Sequence, residues 1–404
     1  MKSDKSARIT RRHFIKQTAA GVGAACLLPG AFSHVQEEEK KILTRVLGRT
    51  GLCLPIVSMG VMNADIPAVI AESVKIGVRH FDTAWYYQGG NNERMVGTVL
   101  QNLGVRNEIV IATKIGPPAS RERGLAPNAK EIFLSHFQQS LERLQTDWVD
   151  ILYLHGVEHP ALVTAEPLLE ALAQLRKEKK VHFIGISTHR NQTQILQSMC
   201  QSGFYDVALV AYNFLMADDT ELLRAMETAH AKNIGLVAMK TQAGGDWWRK
   251  DFQDTTHIEK TINQTAMLKW ALRHEFFATA IPGYTNLDHM REDFSVAYGI
   301  DYTETEREFL LSADTRVGLN YCRQCRGCES TCPLGMDCST LMRAYMYAFQ
   351  YHNRDLARTI LLDQVGKPAL ERCSQCRECT VRCHYALHAS EKIAALKEAD
   401  FLMV

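Results

Sequence analysis

The chain carries almost no net charge. Its 46 Lys and Arg residues face 45 Asp and Glu, a formal balance of +1 over 404 residues. It therefore shows no electrostatic footprint for nucleic acid or another anionic polymer. No run of about 18 purely apolar residues occurs, so a membrane-spanning helix is unsupported and a soluble or at most peripherally attached protein is expected. A glycine-rich phosphate turn is also missing. After the first strand candidate the chain reads Met59-Gly60-Val61-Met62-Asn63, with a single glycine, against a doubly wound dinucleotide fold. Cysteine is scarce through the first 320 residues, and nine of the twelve lie beyond them, which places redox chemistry at the C-terminal end. What is abundant is core-forming material. Hydrophobic residues make up 46% and charged residues 23%, enough to exclude a disordered chain.

The opening reads Thr10-Arg11-Arg12-His13-Phe14-Ile15-Lys16, then a weakly apolar run from Thr18 to Leu28, then Pro29 to Ser33. Paired arginines before a modest apolar segment and small residues resemble a bacterial twin-arginine export signal. Residues 1–33 are set aside from the fold on that basis. The competing reading is an ordinary basic arm. Cleavage after Ser33 is expected, whereas lipid attachment at Cys26 has a poor context in Gly23. The signal implies an exported, periplasmic protein, with peripheral membrane association open, and export in the folded state suits a protein whose cofactor is inserted beforehand.

From Ile42 a hairpin is expected, with strands 42–46 and 52–56 around Gly48-Arg49-Thr50-Gly51. Eight short apolar runs follow, at 57–61, 78–82, 109–114, 149–155, 181–187, 207–211, 235–239 and 278–281. Amphipathic stretches such as 129–144, 165–179, 220–231 and 260–276 separate them. Eight strand-helix units within about 250 residues predict an α/β fold, a closed (β/α)8 TIM barrel over 42–312, followed by a small, mainly helical ferredoxin-like domain over 313–404. Active sites in such barrels lie at the C-terminal strand ends. Asp82, Lys114, His155 and Ser187 each close one apolar run, so they should meet over one mouth.

The segment Phe81-Asp82-Thr83-Ala84-Trp85-Tyr86-Tyr87, the lysine ending Ala112-Thr113-Lys114, the histidine of Leu152-Tyr153-Leu154-His155, and Ile281-Pro282-Gly283 resemble the aldo-keto reductase family over most of 42–300. The opening Leu47-Gly48-Arg49-Thr50-Gly51 is similar to the hairpin that caps the barrel floor in that family. The resemblance implies NAD- or NADP-dependent reduction of an aldehyde or ketone, or oxidation of an alcohol. Tyr87 would donate the proton. A phenol titrates near 10, and a nearby cation, Lys114, would lower it by roughly 1 to 3 units. Asp82 would hold that lysine, and His155 would orient the substrate oxygen. Singly, each has an ordinary structural explanation: a helix cap, a solvated strand end, a packed ring, a buried histidine.

The resemblance also implies cofactor contacts. Ser187 would meet the carboxamide, with Thr188 standing where asparagine is common. His289 falls where an arginine commonly holds the 2′-phosphate of NADP, and a neutral imidazole is a weaker phosphate ligand than a guanidinium. Glu292 matches an adenine-contacting acid, and Asp293 replaces an amide. Trp85, Trp247 and Trp248 could wall a substrate pocket or anchor their loops.

Cys322-x-x-Cys325-x-x-Cys328-x-x-x-Cys332-Pro333 has bacterial ferredoxin spacing, and Cys373-x-x-Cys376-x-x-Cys379-x-x-x-Cys383 repeats it. In such pairs the fourth cysteine reaches the neighbouring cluster. One [4Fe-4S] cluster is therefore assigned to Cys322, Cys325, Cys328 and Cys383, and a second to Cys373, Cys376, Cys379 and Cys332. Zinc sites and disulfides are the competing readings, and an exported location would permit them, but zinc favours two separated pairs and not triplets with a fourth cysteine three residues on. His384 replaces the usual proline. Cys53, Cys200 and Cys338 read as incidental thiols. The spacer 339–370 has helical spacing, and Arg323, Arg326, Arg372, Arg377 and Arg382 offer either an acidic redox partner or the cluster charge a counterweight.

A hydride carries two electrons and a cluster passes one. A flavin would reconcile them, yet no motif assigns one. The expected function is an oxidoreductase whose barrel chemistry on a small carbonyl or alcohol is coupled to two clusters. The alternatives are an electron-transfer protein with a scaffold barrel, and a reductase whose clusters are structural.

Overall fold

Runs such as Val207–Ala211 and Gly235–Met239 are buried at every position, and a parallel sheet wrapped in helices covers such strands on both faces. A computed structural model describes residues 41–118, 124–243, 263–312, 321–351, 353–385 and 387–403. The parallel strands are β3 (Met59–Gly60), β4 (His80–Asp82), β5 (Val110–Ile115), β6 (Val149–Leu154), β7 (Val181–Thr188), β8 (Val207–Ala211), β9 (Gly235–Met239) and β10 (Phe277–Ala280). They pair in chain order. Parallel bridges Val57–Ala280 and Gly60–Gly283 join the last to the first, closing the expected (β/α)8 barrel. Helices Ala129–Leu144 and Thr220–Ala231 span their expected residues. The stretch expected over 260–276 is helical over Gln264–Leu272, with 260–262 outside the described residues.

The hairpin of β1 (Thr44–Val46) and β2 (Cys53–Pro55) is antiparallel and plugs the barrel floor. Leu47 is fully buried in a core shared with Ile151, Val207 and Val237. A methyl group on Gly235 would stand 2.6 Å from Leu47 Cγ, and one on Gly48, at φ +47°, would stand 2.4 Å from Gly235 N. Side chains at those two glycines would unseat the plug.

Beyond residue 320 the described chain forms helices and turns and no strand, as its composition suggests. Helix Cys338–Tyr345 runs on into a π turn, Met346–Gln350, and Arg354–Ile360 into another, Leu361–Val365. Helices Lys367–Gln375 and Ala389–Glu398 complete the tail. Leu341, Leu361, Leu370, Leu396 and Phe401 form its core, and Met62 and Tyr86 of the barrel pack against that core. Just past β7, buried Arg190 grips Asp337 through two nitrogens, at 3.1 and 3.0 Å, and donates to Gln324 Oε1 at 3.1 Å. Among the described residues no helix is long and apolar enough to cross a membrane. The paired arginines, Cys26 and Ser33 lie outside the described residues.

Candidate active site

The mouth of the barrel opens into a cavity lined by Asp82, Tyr87, Lys114, His155 and Ser187. The four strand-end residues picked from the sequence thus share one site. Lys114 Nζ donates to Asp82 Oδ1 and to the carbonyl of Thr83 at 2.7 Å. Both side chains are 3% exposed or less, a pairing that a buried charge requires. Tyr87 arrives through a turn in which Gln88, Gly89 and Gly90 all have positive φ. A Cβ at Gly90 would collide with the Arg143 guanidinium at 2.4 Å. That guanidinium donates to the Trp85 carbonyl at 2.7 Å, fixing the loop. The Lys114 ammonium lies 5.0 Å from the Tyr87 ring centre. His155 stacks on Tyr86 at 5.0 Å and meets Tyr87 edge-on at 5.9 Å.

Electrostatics here depart from one expectation. Burial pushes the Tyr87 phenol well above its ordinary 10, with Tyr86, Asp82 and Tyr347 adding to the rise. Lys114, 5.0 Å from the ring centre and paired with Asp82, does not offset that burial. Desolvation lowers Lys114 and raises Asp82. Burial, then Lys114 and Arg343, hold His155 well below 6.5, so its imidazole is neutral at pH 7, and its Nδ1 has no partner.

Ser187 lines the cavity and accepts from the Gly156 amide at 3.1 Å. Leu209, Met239 and Ile281 give that side an apolar floor, so a flat heteroaromatic ring with a carboxamide fits the lining. Thr188, His289, Glu292 and Asp293 do not line the cavity. Thr188 donates to its own chain at Arg190 O, 2.8 Å away. The His289 ring is engaged by Thr285 at 2.8 Å and Asn286 at 3.2 Å. Asp293 is buried beside Gln242, which donates to it at 2.6 Å, and burial lifts its carboxyl well above the usual range. Glu292 is exposed. Trp85 turns outward, stacking on His136 at 3.8 Å; Trp247 and Trp248 lie outside the described residues.

Sequence reasoning missed the far wall. Tyr347, Gln350 and Tyr351, from the π turn of the tail and the residue after it, line the cavity with Lys240 and His189. Lys240 was findable: it closes the apolar run 235–239 as Lys114 closes its own.

In the tail, Cys322, Cys325, Cys328 and Cys383 line one cavity; Cys332, Cys373, Cys376 and Cys379 line another. The fourth cysteine of each run has crossed to the other group, as ferredoxin spacing requires. Gln324 and Arg326, both at positive φ, wind the first loop around its thiols. Among the described residues every cysteine is a free thiol, and no three His, Cys, Asp or Glu side chains come close enough to hold a single metal ion. Four thiols lining one cavity suit a cubane, whose ligands attach at four separate corners. Cys338 is fully buried and lies with the second group.

Residues 62–267, half of the chain, match the model of the aldo/keto reductase family. The chain belongs to that family. Residues 321–388 match a 4Fe-4S dicluster domain. This aldo/keto reductase is similar to L-galactose dehydrogenase of Arabidopsis thaliana, 33% identical over 307 residues covering 68% of this chain and 94% of that protein. Methylglyoxal reductase of Salmonella typhi is 32% identical, over 59% of this chain and 85% of its own. Among solved structures, an aldo-keto reductase from Bacillus halodurans in its holo form superposes with a TM-score of 0.56 at 20% identity, over 68% of this chain and all of that one. The protein is thus an NAD(P)-dependent oxidoreductase that carries an iron-sulfur electron-transfer domain.

Proposed function

We propose that the protein reduces a small carbonyl compound with NADH or NADPH, and in reverse oxidises the alcohol, with Tyr87 transferring the proton. The observation that carries this reading is the convergence of Tyr87, Lys114, Asp82 and His155 on one cavity that also reaches Ser187. A bound nicotinamide supplies the hydride. Tyr87, protonated at neutral pH, delivers the proton to the carbonyl oxygen. Neutral His155 donates a hydrogen bond to the same oxygen as negative charge develops there. Lys114, with Asp82, fixes the ring-side polar contact beneath Tyr87. Ser187 holds the carboxamide, with Thr188 next to it on the same strand; His289, Glu292 and Asp293, all on helix Leu287–Ser295, serve the adenosine end. The relatives' names, L-galactose dehydrogenase and methylglyoxal reductase, fit a small oxygenated substrate.

Two [4Fe-4S] clusters occupy the tail, one on Cys322, Cys325, Cys328 and Cys383 and the other on Cys373, Cys376, Cys379 and Cys332, each supplying one-electron transfer. Arg372, Arg377 and Arg382 are exposed and would dock an acidic redox-partner protein. No residue assigns a flavin. The twin-arginine segment directs the folded protein out of the cytoplasm, which cell fractionation of wild-type and Arg11→Lys, Arg12→Lys chains tests.

Tyr87→Phe tests the chemistry. Turnover should fall at least about a hundredfold while binding of the nicotinamide, read by fluorescence, stays unchanged; undiminished turnover would sink the reading. Anaerobic mixing with NADH or NADPH tests the coupling. Electron paramagnetic resonance signals of reduced clusters would support it, and clusters silent to the nicotinamide but reducible by dithionite would make them uncoupled from the barrel.

A further inference from the structure

We infer that the substrate carries an anionic group, a carboxylate or its equivalent, recognised by Lys240 at the wall where the tail closes the barrel mouth; this rests on the cavity being the carbonyl site. Asp82 is the one carboxylate among the described lining residues, and Lys114 already neutralises it. Lys240 is the second cation of the lining, and among the described residues no carboxylate reaches its ammonium. Lys240 is half-buried, and a cation that faces a cavity with no carboxylate on it is free to take an anionic ligand through a charge-assisted hydrogen bond.

Two further observations aim this group. Lys240 has φ +55°, a conformation that a long side chain rarely adopts and that collects at functional sites. The Asn213 side chain holds it there by donating to the Lys240 carbonyl at 3.1 Å. The ammonium then stands 4.9 Å from the ring centre of Tyr347 and 5.2 Å from that of Tyr351, so two tail aromatics fix its position against the cavity. His189 also lines this wall with an unpartnered Nδ1. An anion entering past Tyr347 would meet Lys240 first and leave its carbonyl deeper, towards Tyr87 and His155.

Two probes of one shape, 4-formylbenzoate and 4-formylbenzamide, test this. The full chain with its clusters, saturated with the oxidised nicotinamide so that no reduction occurs, is titrated with each by calorimetry. The carboxylate should bind at least about tenfold more tightly, as expected of a charge-assisted hydrogen bond. Lys240→Asn, which tolerates the positive φ, should abolish that preference, and Lys240→Arg should keep it. Equal binding of the two probes by the wild-type protein would overturn the proposal. So would a Lys240→Asn variant that retains the preference, or one that loses nicotinamide affinity instead, which would make Lys240 a ligand of the cofactor phosphates. Turnover with reduced nicotinamide separates the two readings. A Lys240-dependent carboxylate preference without any reduction would fell the reductase and leave the anion site standing. Equal reduction of both probes would do the reverse.

Discussion

Arg190 and Asp337 form a two-pronged ion pair, with both guanidinium nitrogens near 3 Å from the carboxylate oxygens. It joins a residue just past β7 to the residue that caps helix Cys338–Tyr345. Arg190, first among the attractive causes, draws the Asp337 carboxyl far below the usual range against its own burial.

Arg190→Met should therefore loosen the tail. The change leaves Asp337 without its cation and Glu158, 3.1 Å from Arg190, with Arg343 alone at 3.6 Å, a loss of about 3 kcal/mol for a buried pair. Denaturant unfolding measures the loss. Because Tyr347 and Tyr351 ride on the tail, KM should rise more than kcat falls.

The ion pair inside the barrel should behave differently. Asp82→Asn strands Lys114 in a site that is 2% exposed. Its pKa, already lowered by desolvation, loses the one carboxylate that supports it most. Stability should drop by about 3 kcal/mol, and turnover should fall with it. The double variant Asp82→Asn, Lys114→Met should regain stability and stay inactive, which melting and turnover together check.

The pH profile follows from the two shifts at Tyr87 and His155. Tyr87 is raised above 10, so its proton persists through alkaline pH; His155 is lowered below 6.5, so it stays neutral into the acid range. For the enzyme-substrate complex, kcat of reduction should be flat from about pH 6.5 to 10. Alcohol oxidation needs the phenolate and should rise with pH across the same interval. A break near pH 7 in the reductive profile would count against Tyr87 as the donor.

Iron content checks the ligand sets. Cys325→Ala removes an exposed thiol at little cost in packing, and the metal should fall from about eight irons per chain to about four. Cys338→Ser should leave about eight. Loss of four irons from the second variant would move Cys338 into a ligand set.

The barrel was legible because its strands are short apolar runs with punctuated ends, and the chemistry sits at those ends. Asp82, Lys114, His155 and Ser187 were found by that rule alone, and the crossed cysteine groups by spacing. The rule has limits that are physical. An amphipathic spacer announces that it packs without announcing on what, so Tyr347, Gln350 and Tyr351 could not be assigned to the barrel mouth. A tryptophan beside a catalytic tyrosine can face either way, and Trp85 chose His136. A lysine near a tyrosine lowers its pKa only where burial does not outweigh it, and at Tyr87 burial wins.

Helix Cys338–Tyr345 and its π turn form one continuous rod, on the order of 20 Å long. The rod starts at a buried thiol among the cysteines and ends at Gln350 in the cavity at the barrel mouth. A displacement of the cysteine end of this helix would therefore be carried along the rod to the outer wall of the cavity, so the packing around Cys338 bears on the shape of a pocket it never touches.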